Sequence, residues 1–284
     1  MEKKDYILNL SCADRVGIVA AVTSAMAGMD LFLLELSQFS DPSTHQFFMR
    51  IHFETTKEIT EGEIMEHLDL VANRFEMSYT LHDTHFRPKM ILMVSKHSHC
   101  LNDLLHRWSS GTLPVEVAAV VSNHEDLKTM ASWYKVPFHY MPTAPDNKEE
   151  QEEKLLQLIE KHEIDFVVLA RYMQILSDKL CQKMLGRIIN IHHSFLPSFK
   201  GAKPYHQAYI RGVKIIGATA HYVTADLDEG PIIDQEVTRA RHDQLPQELV
   251  RLGQDVECQV LARAVKWHAE QRVILNGNKT VVFN

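Results

Sequence analysis

Residues 187–209, RIINIHHSFLPSFKGAKPYHQAY, read as a buried strand running into a loop. Arg187 to Ile191 is β-branched and apolar, and Asn190 and His192 stand two apart, so both side chains face one side while His193 faces the other. An amide and an imidazole therefore converge on one spot. Pro197, Gly201 and Pro204 then punctuate a non-repetitive loop of the kind that builds sites at the carboxyl ends of parallel strands. A second stretch answers the first. Residues 214–234, KIIGATAHYVTADLDEGPIID, form another apolar strand and an acidic turn, in which Asp226 and Asp228 precede Gly230 and Pro231. That composition suits a tight loop between two strands, with its carboxylates near solvent or near a site.

Outward from this pair, the runs Met90–Val94, Val115–Val121, Phe166–Leu169 and Ile188–Ile191 are continuously apolar and separated by helical segments. Strands buried on both faces with helices between them predict an α/β domain with a mostly parallel, Rossmann-like sheet. One of those helices is charged, Asn147 to His162, with an apolar stripe at Leu155, Leu156, Leu158 and Ile159. Pro246 suits a first helical turn of a long terminal helix reaching about Gln271, and Asn276-Gly277 predicts a hairpin turn before Val281–Phe283.

Residues 5–83 have a different rhythm, β-α-β-β-α-β, the split ferredoxin-like layout. The strands are Tyr6–Leu10, Leu31–Phe39, Gln46–Phe53 and Met77–His82, the middle two joined by the turn residues Asp41, Pro42 and Ser43. Asp14 is expected to open a helix over Val16–Met26, and Thr60 with Glu63 forms a capping box ahead of Ile64, Leu68, Val71 and Phe75. The polar stretch HFRPK places a linker at residues 85–89, between a domain over 1–84 and a domain over 90–284.

A chain of 284 residues accommodates one large or two modest domains, and a formal net charge of -7 offers no electrostatic reason to bind nucleic acid or an anionic membrane. The partner expected is a small molecule. No run approaches the ~18 apolar residues of a membrane span, and MEKKDYILNLSC is too brief for a secretory leader. Cys12, Cys100, Cys181 and Cys258 lack disulfide or metal spacing, as reduced thiols in a cytoplasmic protein would.

The convergence of Asn190, His192 and Asp228 suggests chemistry. A fixed amide can hold a developing oxyanion, an imidazole can move a proton near neutral pH, and a carboxylate can orient it or hold a water. The set suits attack on a carbonyl followed by departure of an amine, with water or an external amine as nucleophile. The residues alone also leave open a structural Asn-x-His pair. His192, His193, His206 and His221 are conceivable metal ligands without zinc-like spacing, and His97, His99 and Cys100 read as a polar loop where a helix begins.

Residues 190–232 resemble the formyltetrahydrofolate deformylase branch of the folate-dependent formyltransferases, and the likeness runs through HCLNDLL from His99 and over essentially the whole chain. The N-terminal unit resembles an ACT domain, an amino-acid-sensing module. The resemblance implies an ACT-type unit followed by a formyltransferase-type α/β domain, with Asn190, His192 and Asp228 as the catalytic trio. Water would attack the formyl group of 10-formyltetrahydrofolate, Asn190 and His192 acting on the carbonyl oxygen and Asp228 on the water and the imidazole. Tetrahydrofolate and formate would leave, balancing the one-carbon pool and serving purine biosynthesis, with no tightly bound cofactor and no metal.

The resemblance further assigns the folate pocket to Tyr172, Met173, Gln174, Ile175, Leu176, His221, Val223 and Leu227, with Gln174 where a basic residue is common. Transferases that formylate glycinamide ribonucleotide carry a glycine-rich loop after the first strand. Here that place reads SKHSHC, Ser95 to Cys100, without glycine, and His193 replaces the proline usual after NIH. Both departures favour a hydrolase over a transferase. Asp14, Arg15, Val16 and Gly17 match the turn where ACT domains take an amino acid, here glycine or methionine, though Asp14 and Gly17 also suit a helix cap and a tight turn. ACT units pair, so a homo-oligomer, dimer or tetramer, is implied. Two other readings remain: a formyltransferase using an unidentified amine, and a non-enzymatic sensor.

Overall fold

The apolar runs become strands and the periodic segments helices in the computed structural model, which describes residues 3–196 and 204–284. Pro197 and Gly201 lie outside the described residues. Two compact units result. The first takes in the chain up to Phe86 together with Glu270–Asn276 and Thr280–Asn284, and the second takes in Arg87–Ala269 with Gly277–Lys279.

In the first unit β1 (Lys4–Ala13), α1 (Ile18–Gly28), β2 (Phe32–Asp41), β3 (Gln46–Thr55), α2 (Glu61–Phe75) and β4 (Ser78–Asp83) form a split βαββαβ arrangement. Its sheet has the order β2-β3-β1-β4, antiparallel throughout. Leu8, Leu10, Met49 and Phe53 meet Ile18, Val22, Met26, Ile64 and Leu68 in one buried layer, which is what the alternation in the strands and the stripe on each helix require. Thr60 caps α2 as expected. Its hydroxyl accepts from the Glu63 amide at 3.2 Å while the Glu63 carboxylate accepts from the Thr60 amide at 2.8 Å. At α1 the expectation is corrected. The helix starts at Ile18 after Gly17 in a left-handed conformation, φ 95°, without a side-chain cap, while Asp14 accepts the Ser40 hydroxyl and Val16 is fully exposed outside the helix. An aspartate four residues ahead of the first helical residue is too far back to reach its free amides.

The second unit runs β5 (Lys89–Val94), α3 (His99–Ser109), β6 (Glu116–Ser122), α4 (Lys128–Trp133), β7 (Phe138–Tyr140), α5 (Lys148–His162), β8 (Phe166–Leu169), α6 (Asp178–Lys183), β9 (Ile188–His192), α7 (Pro204–Arg211), β10 (Ile215–Tyr222), β11 (Ile232–Arg239) and α8 (Pro246–Ala269). Its sheet has the order β11-β10-β9-β8-β5-β6-β7. The five strands β5 to β9 are parallel, and β10 runs antiparallel to both β9 and β11. The chain steps from β5 out to β6 and β7, then crosses to the other side of β5 for β8 and β9. Strand order therefore reverses between β5 and β8, and a crevice opens beyond the carboxyl ends at such a reversal. Leu155, Leu156 and Ile159 of α5 bury against Ile91, Met93, Val167 and Leu169, which accounts for the stripe on that otherwise charged helix. Short β7 escaped the sequence reading because three residues carry no periodicity.

The C-terminal hairpin, β12 (Val273–Asn276) and β13 (Lys279–Val282), turns at Gly277 with φ 58°. The expectation that everything after residue 90 belongs to one domain is corrected here. Val281 and Phe283 bury against Phe48 in the first unit, whose Arg50 donates to the carbonyls of Glu270 and Gln271 at 3.2 and 3.1 Å. The cause is long-range burial of a second apolar sheet face, which local sequence does not reveal. Among the described residues no helix is long and apolar enough to cross a membrane.

Candidate active site

β9 and β10 pair with Asn190 opposite His221 and His192 opposite Thr219. Directly opposed residues share a face, so the register adds a second imidazole to the Asn190 and His192 pair. The Asn190 amide nitrogen lies 3.2 Å from Nε2 of His221, whose Nδ1 lies 2.9 Å from the Tyr222 carbonyl oxygen. The carbonyl fixes the proton on Nδ1, so Nε2 accepts from the Asn190 amide, and the second amide N–H of Asn190 is left for another acceptor.

Asp228 arrives from the loop between β10 and β11. That loop closes tightly because position 230 is glycine, where a Cβ would stand 1.8 Å from the Tyr222 carbonyl oxygen. Asp228 itself is left-handed, φ 58°, a conformation that aspartate tolerates better than most residues and that is enriched where geometry serves function. Its carboxylate lies 3.2 Å from Nδ1 of His192 and 3.7 Å from Nε2 of His221. Burial pushes the Asp228 carboxyl upward, but the hydrogen bond from His192 outweighs it and holds it well below the usual carboxylate range. With Nδ1 of His192 donating to Asp228, Nε2 is left as the lone-pair nitrogen, and it is buried without a hydrogen-bond partner among the described residues.

These groups line one cleft of about 220 Å³. Tyr172, Met173, Gln174, Ile175 and Leu176 form one wall, in the loop after β8, and His221, Val223 and Leu227 line it as well, so all eight residues expected at a folate pocket are brought to it. Met173, Ile175 and Leu227 are each more than half exposed. An apolar rim around a few convergent polar groups suits a flat heterocyclic ligand. The wall is pinned from β5: the Ser95 hydroxyl accepts the Met173 amide at 3.0 Å and donates to Asn123 at 2.7 Å. The glycine-free segment after β5 thus spends its first residue on positioning the cleft.

Residues 88–265 match the formyl transferase family. A formyltetrahydrofolate deformylase from Corynebacterium sp. (strain P-1) is 47% identical over 99% of this chain and 99% of its own length, and one from Bacillus subtilis (strain 168) is 45% identical over 100% and 95%. The crystal structure of formyltetrahydrofolate deformylase from Burkholderia mallei superposes with a TM-score of 0.95 at 47% identity, covering 99% of this chain and 100% of that one. The chain belongs to the formyltetrahydrofolate deformylase family. It is an enzyme, with a formyltransferase-type α/β unit.

Within this deformylase-family cleft, one expectation from strand alternation is corrected. His193 does not turn to the opposite layer; its ring stacks on His192 with centroids 5.0 Å apart and planes at 25°, and it lines the same cleft. The strand ends at His192, and period-two alternation ends with it. Burial first, then the charges of Arg171 and His192, pushes His193 down to about 4, so it is neutral at neutral pH. His206, the fourth histidine weighed as a metal ligand, is exposed on α7 outside the cleft. Arg171, immediately ahead of the expected pocket segment, is left-handed with φ 66° and also lines the cleft. At the turn between β1 and α1, Asp14, Arg15, Val16 and Gly17 are all exposed, and Arg15 pairs with Glu76 at 3.5 Å.

Proposed function

We propose that this chain hydrolyses 10-formyltetrahydrofolate to tetrahydrofolate and formate, with water as formyl acceptor. The observation that carries the reading is the convergence of Asn190, His192 and Asp228 on one apolar-rimmed cleft, with Nε2 of His192 buried and unpartnered among the described residues. The relatives' shared description as formyltetrahydrofolate deformylases supports the same substrate.

In this reading Tyr172 to Leu176, with His221, Val223 and Leu227, holds the pterin, and the free N–H of Asn190 donates to the formyl oxygen as it gains charge. Nε2 of His192 takes a proton from the attacking water, and Asp228 stabilises the resulting imidazolium. The C–N bond breaks as the imidazolium gives that proton to N10. Formic acid then loses its proton to solvent, and the residues return to their starting state. The Asp228 carboxylate, held ionised, orients the ring and is not required to carry a proton.

The N-terminal unit serves in this proposal as an ACT-type module that binds an amino acid, such as glycine or methionine, at Asp14 to Gly17. The same unit supports a homo-oligomer, dimer or tetramer. Its edge strand β2 presents Phe32, Leu34 and Leu36 to solvent at alternate positions, an unpaired apolar row of the sort that second copies cover. The reaction belongs in the cytoplasm, consistent with four unpaired cysteines, where it supplies formate and balances one-carbon units for purine biosynthesis.

Purified chain incubated with 10-formyltetrahydrofolate and no amine should release formate and tetrahydrofolate in equal amounts. Formate equivalents appearing only as a formylated product, and only when an amine is added, would replace hydrolysis by transfer.

A further inference from the structure

Behind the cleft lies a buried polar cluster that the proposed chemistry does not use. Glu257 of α8 is 1% exposed, and two hydrogen-bonding groups and one counter-charge, from three different segments, meet its carboxylate. The Tyr205 hydroxyl, in the first turn of α7, donates at 2.8 Å; His99, the first residue of α3, stands at 2.7 Å; and the Arg171 guanidinium stands at 3.4 Å. Burial alone would push the Glu257 carboxyl up, but the bond to His99 and the charge of Arg171 hold it below its ordinary value. The carboxylate is therefore ionised and fully engaged.

The cluster is built for contact. Gly253, one turn before Glu257, leaves the space that Tyr205 fills, since a Cβ there would stand 2.0 Å from the Tyr205 hydroxyl oxygen. His99, Cys100 and Glu257 do bring ligand atoms within 4.8 Å of one another. Arg171 already supplies the compensating positive charge on the same Glu257 oxygen that faces His99, and the Cys100 thiol is pushed up by its bond to Cys258 and by burial, so a cation would have to displace a guanidinium and deprotonate a hindered thiol.

Two of these three groups lead to the cleft. Arg171 immediately precedes the wall Tyr172 to Leu176 and is held left-handed, a strained conformation for an ordinary residue that persists only when its surroundings impose it. The Tyr205 ring lies 6.4 Å from His193, which stacks on His192. We propose that Glu257 is a positioning residue: its pairing with Arg171 fixes the wall of the cleft that binds folate, and its pairing with Tyr205 backs the His193–His192 stack. This inference rests on the reading of the cleft as the folate site.

The test compares wild type, Glu257→Gln, Arg171→Gln and the double variant, measuring formate release from 10-formyltetrahydrofolate, binding of tetrahydrofolate by calorimetry, and thermal unfolding. A wall displaced by a fraction of an ångström weakens productive binding, so Glu257→Gln should raise KM and the tetrahydrofolate Kd by about tenfold or more. The double variant should fall well short of the product of the two single effects, because both singles break the same Glu257–Arg171 pair. If Glu257→Gln fails to fold, Arg171→Gln, which leaves Glu257 with His99 and Tyr205, carries the same tenfold expectation. A KM and Kd within twofold of wild type, or effects that multiply in the double variant, overturn the proposal. Wild type that releases no formate refutes hydrolysis separately, and the Kd comparison still decides the role of Glu257.

Discussion

Replacing Asp228 by Asn removes one charge and little volume, so it isolates what the carboxylate does. In the structure its oxygen lies 3.2 Å from Nδ1 of His192. Two opposite charges at about that separation attract by roughly 4–5 kcal/mol at an effective dielectric of 20, an upper bound for what the imidazolium loses when its partner becomes neutral. The amide oxygen can still accept from Nδ1, which keeps the tautomer and recovers part of the loss. At about 1.4 kcal/mol per decade, a net deficit of ~3–4 kcal/mol lowers kcat by about 10² to 10³. KM should stay within about threefold, because the cleft wall at Tyr172 to Leu176 is untouched. Steady-state formate release, with tetrahydrofolate binding measured in parallel, separates the two parameters. If Asp228→Asn keeps kcat within threefold of wild type, or loses ligand binding while turnover persists, the assignment of Asp228 as the partner of a transient imidazolium is wrong.

Gly230→Ala should leave the fold intact and lower kcat by tenfold or more, since a Cβ 1.8 Å from the Tyr222 carbonyl forces the Asp228 loop outward; turnover at wild-type level would refute the tight-loop argument. Thr60→Ala should cost about 0.5–2 kcal/mol of stability by removing the capping box of α2, seen as a lower denaturation midpoint with formate release per folded molecule unchanged. Stability should fall as pH drops from about 6.5 to about 4. Burial pushes both His193 and His268 down to about 4, so over that window the unfolded chain binds protons that the folded chain refuses, and each group contributes on the order of a few kcal/mol of loss by pH 4. His268→Gln, which removes a buried ring bonded to the Tyr222 hydroxyl, should flatten that dependence; an unchanged slope of midpoint against pH would show that His268 does not titrate there.

Much of this architecture is written in local pattern. Continuous apolar runs at Met90–Val94, Phe166–Leu169 and Ile188–Ile191 can be satisfied only by burial on both faces, and Asn190 and His192 share a side of their strand by the geometry of the strand itself. The Thr60 capping box and the Asn276-Gly277 turn are equally local, and each forms where its residues demand. Register, long-range pairing and backbone strain are decided elsewhere. The antiparallel placement of β10 set His221 beside Asn190, the end of β9 let His193 fold back onto His192, and the return of residues 270–276 and 280–284 to the first unit buried a face of β3 that nothing nearby in the chain could cover. Glu257 shows the limit most plainly. The spacing of Leu249, Val256, Val260 and Leu261 places it on the buried face of α8, and only packing that brings α3, α7 and the loop after β8 onto α8 supplies its partners His99, Arg171 and Tyr205. Sequence dictates which groups must leave water and which way neighbouring side chains alternate; tertiary contact alone dictates which distant groups meet there, because the free energy of a buried charge depends on partners that can lie 221 residues away, as Gln271 does from Arg50.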